Sequence, residues 1–527
     1  TPTAPTAPLT KAQELDQEIV SPTANATRVT QLANEVSPAE RTTFATTHRA
    51  RIIALLSMSQ LSRFAVTLGV DLVTQLGWLR DKGGAIPTAD LQFMLNMATT
   101  PHQLALFDDA ALTTLVQGSS ALGPLQTMRG LTGHLATLAT KAPFWTWLFA
   151  KGTALDRVVA VGTCGAIPAA IGHITVPVLD AAINALPKGT GLPAEARDAC
   201  DAIMVALTNE GQLARSLFSV RFDVALTGPW AAAALDDVKL LYNDCKNLPI
   251  AQVANNPRLL TFNRRSGGGG TYSSQTNTIN IDQTDTNHTE NMYAGTPQQV
   301  PERYFDHTVR HEVGHAVDAM LGSRTALVFN TAAWKEYGTS SLDTWIGQFN
   351  GWTQAGGGTA PTDAEKQQIR DLIMQLLHSG GGAIEGPNMG ARDLAPADHP
   401  FTRFPTLKVV NVMSRGTGTM KYKDRYNDGG KVFSINYYYR RFMECSAQAA
   451  ASAPRDYCMF SPAEWFADMY AEFYRQFDGI DDSKLGGNCP GWVKTWMLAN
   501  VHNIGGRTPH DLRGGAAPMP RGQRVNH

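Results

Sequence analysis

Apolar residues recur at helical spacing through most of the first half of the chain. Over positions 51–78 they fall at Ile52, Leu55, Leu56, Met58, Leu61, Phe64, Val66 and Leu68, a spacing that gathers one face of a helix. A further helix is predicted over 229–247, opening on Pro229, a residue suited to a first turn. Strand-like alternation is scarce before residue 250. The pattern predicts an all-helical domain over 38–250, preceded over 1–37 by a flexible Pro/Thr/Ala-rich tail that closes on a first short helix.

The pattern changes near residue 255. The run RRSGGGG over 264–270 is followed by TYSSQTNTINID, which predicts a glycine-rich turn feeding a hairpin. Its second arm, with Thr278, Ile279, Asn280 and Ile281, reads as a polar, edge-type strand. Such a strand could hold an extended peptide by strand addition; a plain covered edge fits the same residues. Helices are predicted over 303–320, 332–349, 362–377 and 461–476, with a Gly/Pro-rich loop over 379–398. Between them MKYKDRY and KVFSINYYY, joined by NDGG, predict a hairpin over 420–439 whose tyrosine run at 437–439 lines a cleft or half-buries against a sheet. The expected fold class is α+β, predominantly helical.

At 527 residues the chain is long enough for roughly two to four domains. Hydrophobic residues make up 43% and charged residues 17%, which excludes a disordered chain and leaves material for large cores. A net charge of -1 gives no global field toward nucleic acid or anionic lipid, so no nucleic-acid partner is expected. The 22 residues from Val158 to Leu179 carry no charge and approach membrane length. Pro168, Pro177, Gly162, Gly165 and Gly172 would break a spanning helix, so the expectation is a buried helix–turn–helix, with membrane insertion as the alternative. None of the six cysteines forms a CxxC pair, which argues against a thiolate zinc ribbon. Disulfides and buried thiols both stay open, Cys445 and Cys458 being the pair best placed for a bridge.

The candidate chemistry lies in HEVGH, residues His311 to His315. Residues four apart share a helix face, so the imidazoles of His311 and His315 can reach one metal ion, and Glu312 can act on a water beside it. Val309, Val313, Val317 and Met320 supply an apolar stripe on the other side. A catalytic zinc site usually has a third protein ligand. The predicted helix over 461–476 offers Glu464 as ligand and, four residues on, Asp468 as a carboxylate that fixes an imidazole. Glu464 also stands where a capping box headed by Ser461 would use it. Glu444, His378, His399 and Asp343 are rival ligands, and Asp318, one turn beyond His315, either orients a ligand or pairs structurally.

HEVGHAVD followed by EWFAD resembles the catalytic domain of the lethal-factor-like zinc metallopeptidases, a gluzincin family named for anthrax toxin lethal factor. The likeness covers about residues 255–500 and is dense in those two blocks alone. It implies a zincin-type metallopeptidase domain over 251–527, with a large insertion at about 322–456. It also implies one Zn2+ bound by His311, His315 and Glu464, Glu312 as general base, and Tyr457, seven residues before Glu464, as a helper at the transition state. The implied substrate is a protein or peptide, and the implied setting a secreted or injected bacterial toxin whose helical half serves delivery or docking. Glu464 follows His315 by 149 positions, more than the family usually has, and this bears on cleft shape and substrate choice.

Overall fold

In a computed structural model of the chain, the described residues are 8–97, 106–108, 135–254, 256–264, 269–282, 289–290, 302–322, 333–337, 362–367, 370, 407–413, 420–428, 431–436, 441–454, 458, 462–479, 481–487 and 489–502. The chain divides into two units, Thr1–Leu186 with Pro193–Leu213, and Pro187–Leu192 with Ala214–His527. Together they are mostly helical with a small mixed sheet, as the sequence pattern predicts.

In the first unit, capping residues cut the apolar pattern into short helices. The stretch over 51–78 falls into Arg49–Leu55, Met58–Thr67 and Leu72–Lys82. Ser57 heads the second with a capping box to Gln60, and the Asp71 side chain accepts from the Thr74 N–H to start the third. The expected tail over 1–37 is corrected: Lys11–Val20 and Ala26–Glu35 are helices capped by Thr10 and Asn25. They bury Leu15, Ile19, Val29 and Leu32, an anchorage a flexible tail lacks. The uncharged stretch ends one helix, Ala154–Thr163, and then forms Ile167–His173 and Val176–Asn184. The last two are bent by 107° at their break, and no single described helix is long and apolar enough to cross a membrane. Val158, Val161, Ala170 and Leu179 are buried, but Val178 is exposed, so burial of the expected helix–turn–helix is one-sided.

The expected domain boundary near 250 lies instead at 213/214. Two contacts explain this: β1 (Ala225–Thr227) pairs with β2 (Thr261–Arg264), and the helix Leu235–Lys246 packs on the helix that carries HEVGH. The helix expected over 229–247 is split, with a 3-10 turn at Gly228–Ala232 before Leu235–Lys246. A hairpin of β3 (Gly270–Ser273) and β4 (Thr278–Ile281) completes a four-stranded sheet of order β1-β2-β4-β3. Strand β4 is therefore paired on both sides, parallel to β2 and antiparallel to β3. The edge assignment for Thr278, Ile279, Asn280 and Ile281 is corrected: among the described strands the edge beside the hairpin is β3. Polarity misled the reading. Asn263, Asn280 and Thr271 form a hydrogen-bonded row across β2, β4 and β3, while Phe262, Ile279 and Tyr272 make the buried row on the other face.

A short ladder of β5 (Thr289–Glu290) and β6 (Glu302–Arg303) leads into the motif helix, Tyr304–Met320. In the insertion, β7 (Trp334–Tyr337), β8 (Leu407–Met413), β9 (Met420–Asp428), β10 (Lys431–Asn436) and β11 (Arg441–Cys445) form an antiparallel sheet of order β7-β11-β10-β9-β8. The hairpin expected over 420–439 is its β9–β10 pair, although 437–439 lies outside the described residues. The helix expected over 332–349 is corrected at its start, where Trp334–Tyr337 pairs with β11. Pairing with a distant strand overrides local periodicity there. Of the helix expected over 362–377, residues 363–367 are helical. The carboxylate helix, Pro462–Phe473, packs along the motif helix, and Trp465 ties it to the helix Ala447–Ala451 through Nε1 to the Ala449 carbonyl at 3.2 Å.

Candidate metal centre

The motif helix is buried almost all round: of its residues Tyr304–Met320, only Asp306 is not. It packs on β3 and β4, on Leu235–Lys246 and on the carboxylate helix. Six of its buried residues are ionisable or strongly polar: His307, Arg310, His311, Glu312, His315 and Asp318. Burying such groups is costly unless they are paired or hold a metal. Their arrangement follows that rule.

Gly314 lets the two helices approach. A Cβ there would stand 3.1 Å from the Ala467 Cα and 3.1 Å from the Tyr470 Cβ. The approach brings Glu464 Oε2 to 3.0 Å from His311 Nε2 and 3.5 Å from His315 Nε2, while the two Nε2 atoms are 3.1 Å apart. Tetrahedral zinc with bonds of about 2.0–2.1 Å sets its ligand atoms about 3.3 Å apart, so these three fit one ion. Glu464 is fully buried, and its Oε2 is directed at the imidazoles instead of serving only the helix start. Glu444, the one rival ligand among the described residues, lies on β11, while His378, His399 and Asp343 lie outside them.

His311 is oriented from its other nitrogen, where Nδ1 donates to Asp468 Oδ1 at 2.7 Å. Burial alone would lower the pKa of His311, but the Asp468 and Glu464 carboxylates outweigh it and raise it to about 10. The spot thus favours positive charge strongly, a demand that a divalent cation meets. Tyr272 stacks on His315 with ring centroids 6.5 Å apart and planes at 12°, and its hydroxyl donates to the Arg258 carbonyl at 2.9 Å. Burial pushes the Tyr272 phenol up, so it stays neutral. Asp318 is buried, and its charge also acts on Tyr272; the orienting contact on His311 is Asp468's.

Glu312 is buried against β3. A Cβ at Gly270 would fall 2.6 Å from both its Cγ and its Oε1, so glycine is what lets the strand pass over this carboxylate. Tyr457 lies outside the described residues. Cys445 and Cys458 are not bridged; both thiols are buried, and that of Cys458 donates to Asp468 Oδ2 at 2.8 Å.

Sequence reasoning missed a second tier. His307 Nε2 lies 3.3 Å from Asp468 Oδ1, and its Nδ1 lies 3.3 Å from Glu302 Oε1. Arg310 pairs with Glu302 and donates through Nε to the Ala471 carbonyl at 3.1 Å, clipping the motif helix to the end of the carboxylate helix. Arg475 stands 3.6 Å from Glu302 and from Glu472. One signal was in plain view: His307, His311 and His315 fall at every fourth position, on one helix face. Compared with known proteins, the chain matches no family model, no curated protein and no solved structure.

Proposed function

We propose that the second unit is a zinc-dependent endopeptidase of the lethal-factor-like kind, cleaving peptide bonds in a protein substrate, and that the chain is a secreted or injected toxin-like effector. The observation that carries the enzymatic part is the convergence of His311, His315 and Glu464 within 3.0–3.5 Å, with Glu312 adjacent on the same helix. The toxin part is supported by the resemblance of HEVGHAVD and EWFAD alone.

His311, His315 and Glu464 hold the zinc. When bound, it supplies a Lewis acid that polarises a peptide carbonyl and acidifies water. Glu312 takes the proton from the attacking water and returns it to the amide nitrogen as the C–N bond breaks. The Tyr457 hydroxyl donates to the oxygen on which charge develops. The side of β3 that no described strand pairs, running over Glu312, binds the substrate main chain by strand addition and sets the scissile bond beside the base.

The test compares wild type with Glu312→Ala for zinc content and for cleavage of a peptide library. Both should bind about one zinc per chain, since Glu312 is not a ligand, and only wild type should cleave. Zinc in both with cleavage by neither would make the fold a binding scaffold. Equal turnover by both would remove Glu312 from the mechanism.

A further inference from the structure

We infer that His307 and Cys458 are positioning residues of the metal centre: they clamp the Asp468 carboxylate between them and so fix the ring of His311. The inference rests on the zinc reading above.

Asp468 is fully buried and receives three groups from three places in the chain. His311 donates from Nδ1 to Oδ1 at 2.7 Å, and His307 Nε2 stands at an ion-pair distance of 3.3 Å from the same oxygen without making a hydrogen bond to it. Cys458 holds the opposite oxygen, its thiol donating to Oδ2 at 2.8 Å. A carboxylate turns easily about its last torsion, which has broad minima. Held by His311 alone, it could pivot on that single bond and carry the imidazole with it. Contacts on both oxygens remove this freedom, because rotation that keeps one contact breaks another.

Each arm of the clamp is itself anchored. His307 sits one turn before His311 on the motif helix, its ring 6.0 Å from that of His311 and tilted by 30°. Its Nδ1 faces Glu302 Oε1 at 3.3 Å, and Glu302 is held by Arg310 and Arg475. Cys458 is buried in the segment that precedes the carboxylate helix, ten residues before Asp468 and next to Tyr457. A clamp on Asp468 therefore also ties Cys458 to the motif and carboxylate helices. Mere space-filling would need neither a thiol hydrogen nor a ring nitrogen at these points. This difference is open to test.

The experiment measures zinc dissociation constants by chelator competition on the full chain, with absorption spectra of the cobalt-substituted protein. His307→Ala and Cys458→Ala should weaken zinc binding about ten- to a hundredfold, the usual cost of losing a partner behind a ligand, and should shift the cobalt bands. His307→Gln keeps an amide N–H toward Asp468 and Cys458→Ser keeps a hydroxyl donor; both should bind zinc close to wild type with unshifted bands. Unfolding of the metal-free proteins separates this from a stability effect, because the Gln and Ser variants test the donors even if an Ala variant folds poorly. Wild-type affinity in the Ala variants would overturn the inference while leaving the zinc site intact. Ser and Gln variants as weak as their Ala counterparts would reduce both residues to packing. A wild type that binds no zinc would remove the site itself and the clamp with it.

Discussion

Replacing Gly314 by alanine sets two effects of known sign against each other. In a helix interior the change gains about 1 kcal/mol of intrinsic propensity. Here the new Cβ would meet the Ala467 Cα at 3.1 Å, the Tyr470 Cβ at 3.1 Å and the Tyr470 Cδ1 at 3.2 Å. Carbon atoms prefer about 3.5–4.0 Å, so the carboxylate helix must retreat by a few tenths of an ångström. One contact is backbone and cannot swing away. Overpacking of this kind costs about 1–3 kcal/mol, so the clash should win and Gly314→Ala should be less stable by about 1 kcal/mol. The retreat also carries Glu464, one turn before Ala467, away from imidazoles it now meets at 3.0 and 3.5 Å. Zinc affinity should fall about tenfold, the scale seen when support behind a ligand is disturbed. Denaturant unfolding and chelator competition read the two effects separately. A variant more stable than wild type with unchanged zinc affinity would mean the helices are not in contact at Gly314.

Two other perturbations follow from the buried charges and from β3. Burial alone would raise the pKa of Glu302, but the His307 ring 3.3 Å away and the charges of Arg310, His307 and Arg475 take it from 4.5 down to about 2. A carboxylate depressed by that much contributes about 3 kcal/mol above its unfolded pKa. Acid titration of the unfolding free energy should therefore show that stability lost as pH falls from 4.5 toward 2, and Glu302→Gln should flatten the profile in this window. A variant with the wild-type acid profile would remove Glu302 from the account. Gly270→Ala places a Cβ 2.6 Å from Glu312 Oε1 and 2.7 Å from the Thr308 Cγ2, so the Glu312 side chain must swing aside. Turnover should drop about tenfold or more, on the scale of a misplaced general base, with zinc content unchanged. Unaltered kcat would show that β3 does not confine Glu312.

Features set by short-range spacing were legible in the sequence. His311 and His315 share a helix face by arithmetic, and Glu464 and Asp468 repeat that spacing on a second helix, so this cluster of side chains was readable once the two helices were paired. Features set by distant pairing were not. The polar residues of β4 look like an exposed edge, yet Asn280 is polar because it joins a side-chain row between Asn263 and Thr271. Trp334–Tyr337 is a strand because β11, about a hundred residues later, pairs with it. The boundary at 213/214 follows from β1 joining β2, again across an intervening helix. Cys458 shows the same limit: nearness to Cys445 in sequence suggested a bridge, whereas its thiol serves Asp468. His307 stands at the motif's own period, four residues before His311, but outside the HExxH spacing that marks a metal pair.

The proposed zinc ion is held by His311, His315 and Glu464. Anomalous scattering at the zinc edge, from crystals of the full chain grown with zinc, tests it directly. A single peak is expected about 2.0–2.2 Å from His311 Nε2, His315 Nε2 and a Glu464 carboxylate oxygen. Zinc-saturated crystals with no peak between these side chains, or with the ion ligated elsewhere and Glu464 turned away, would contradict it.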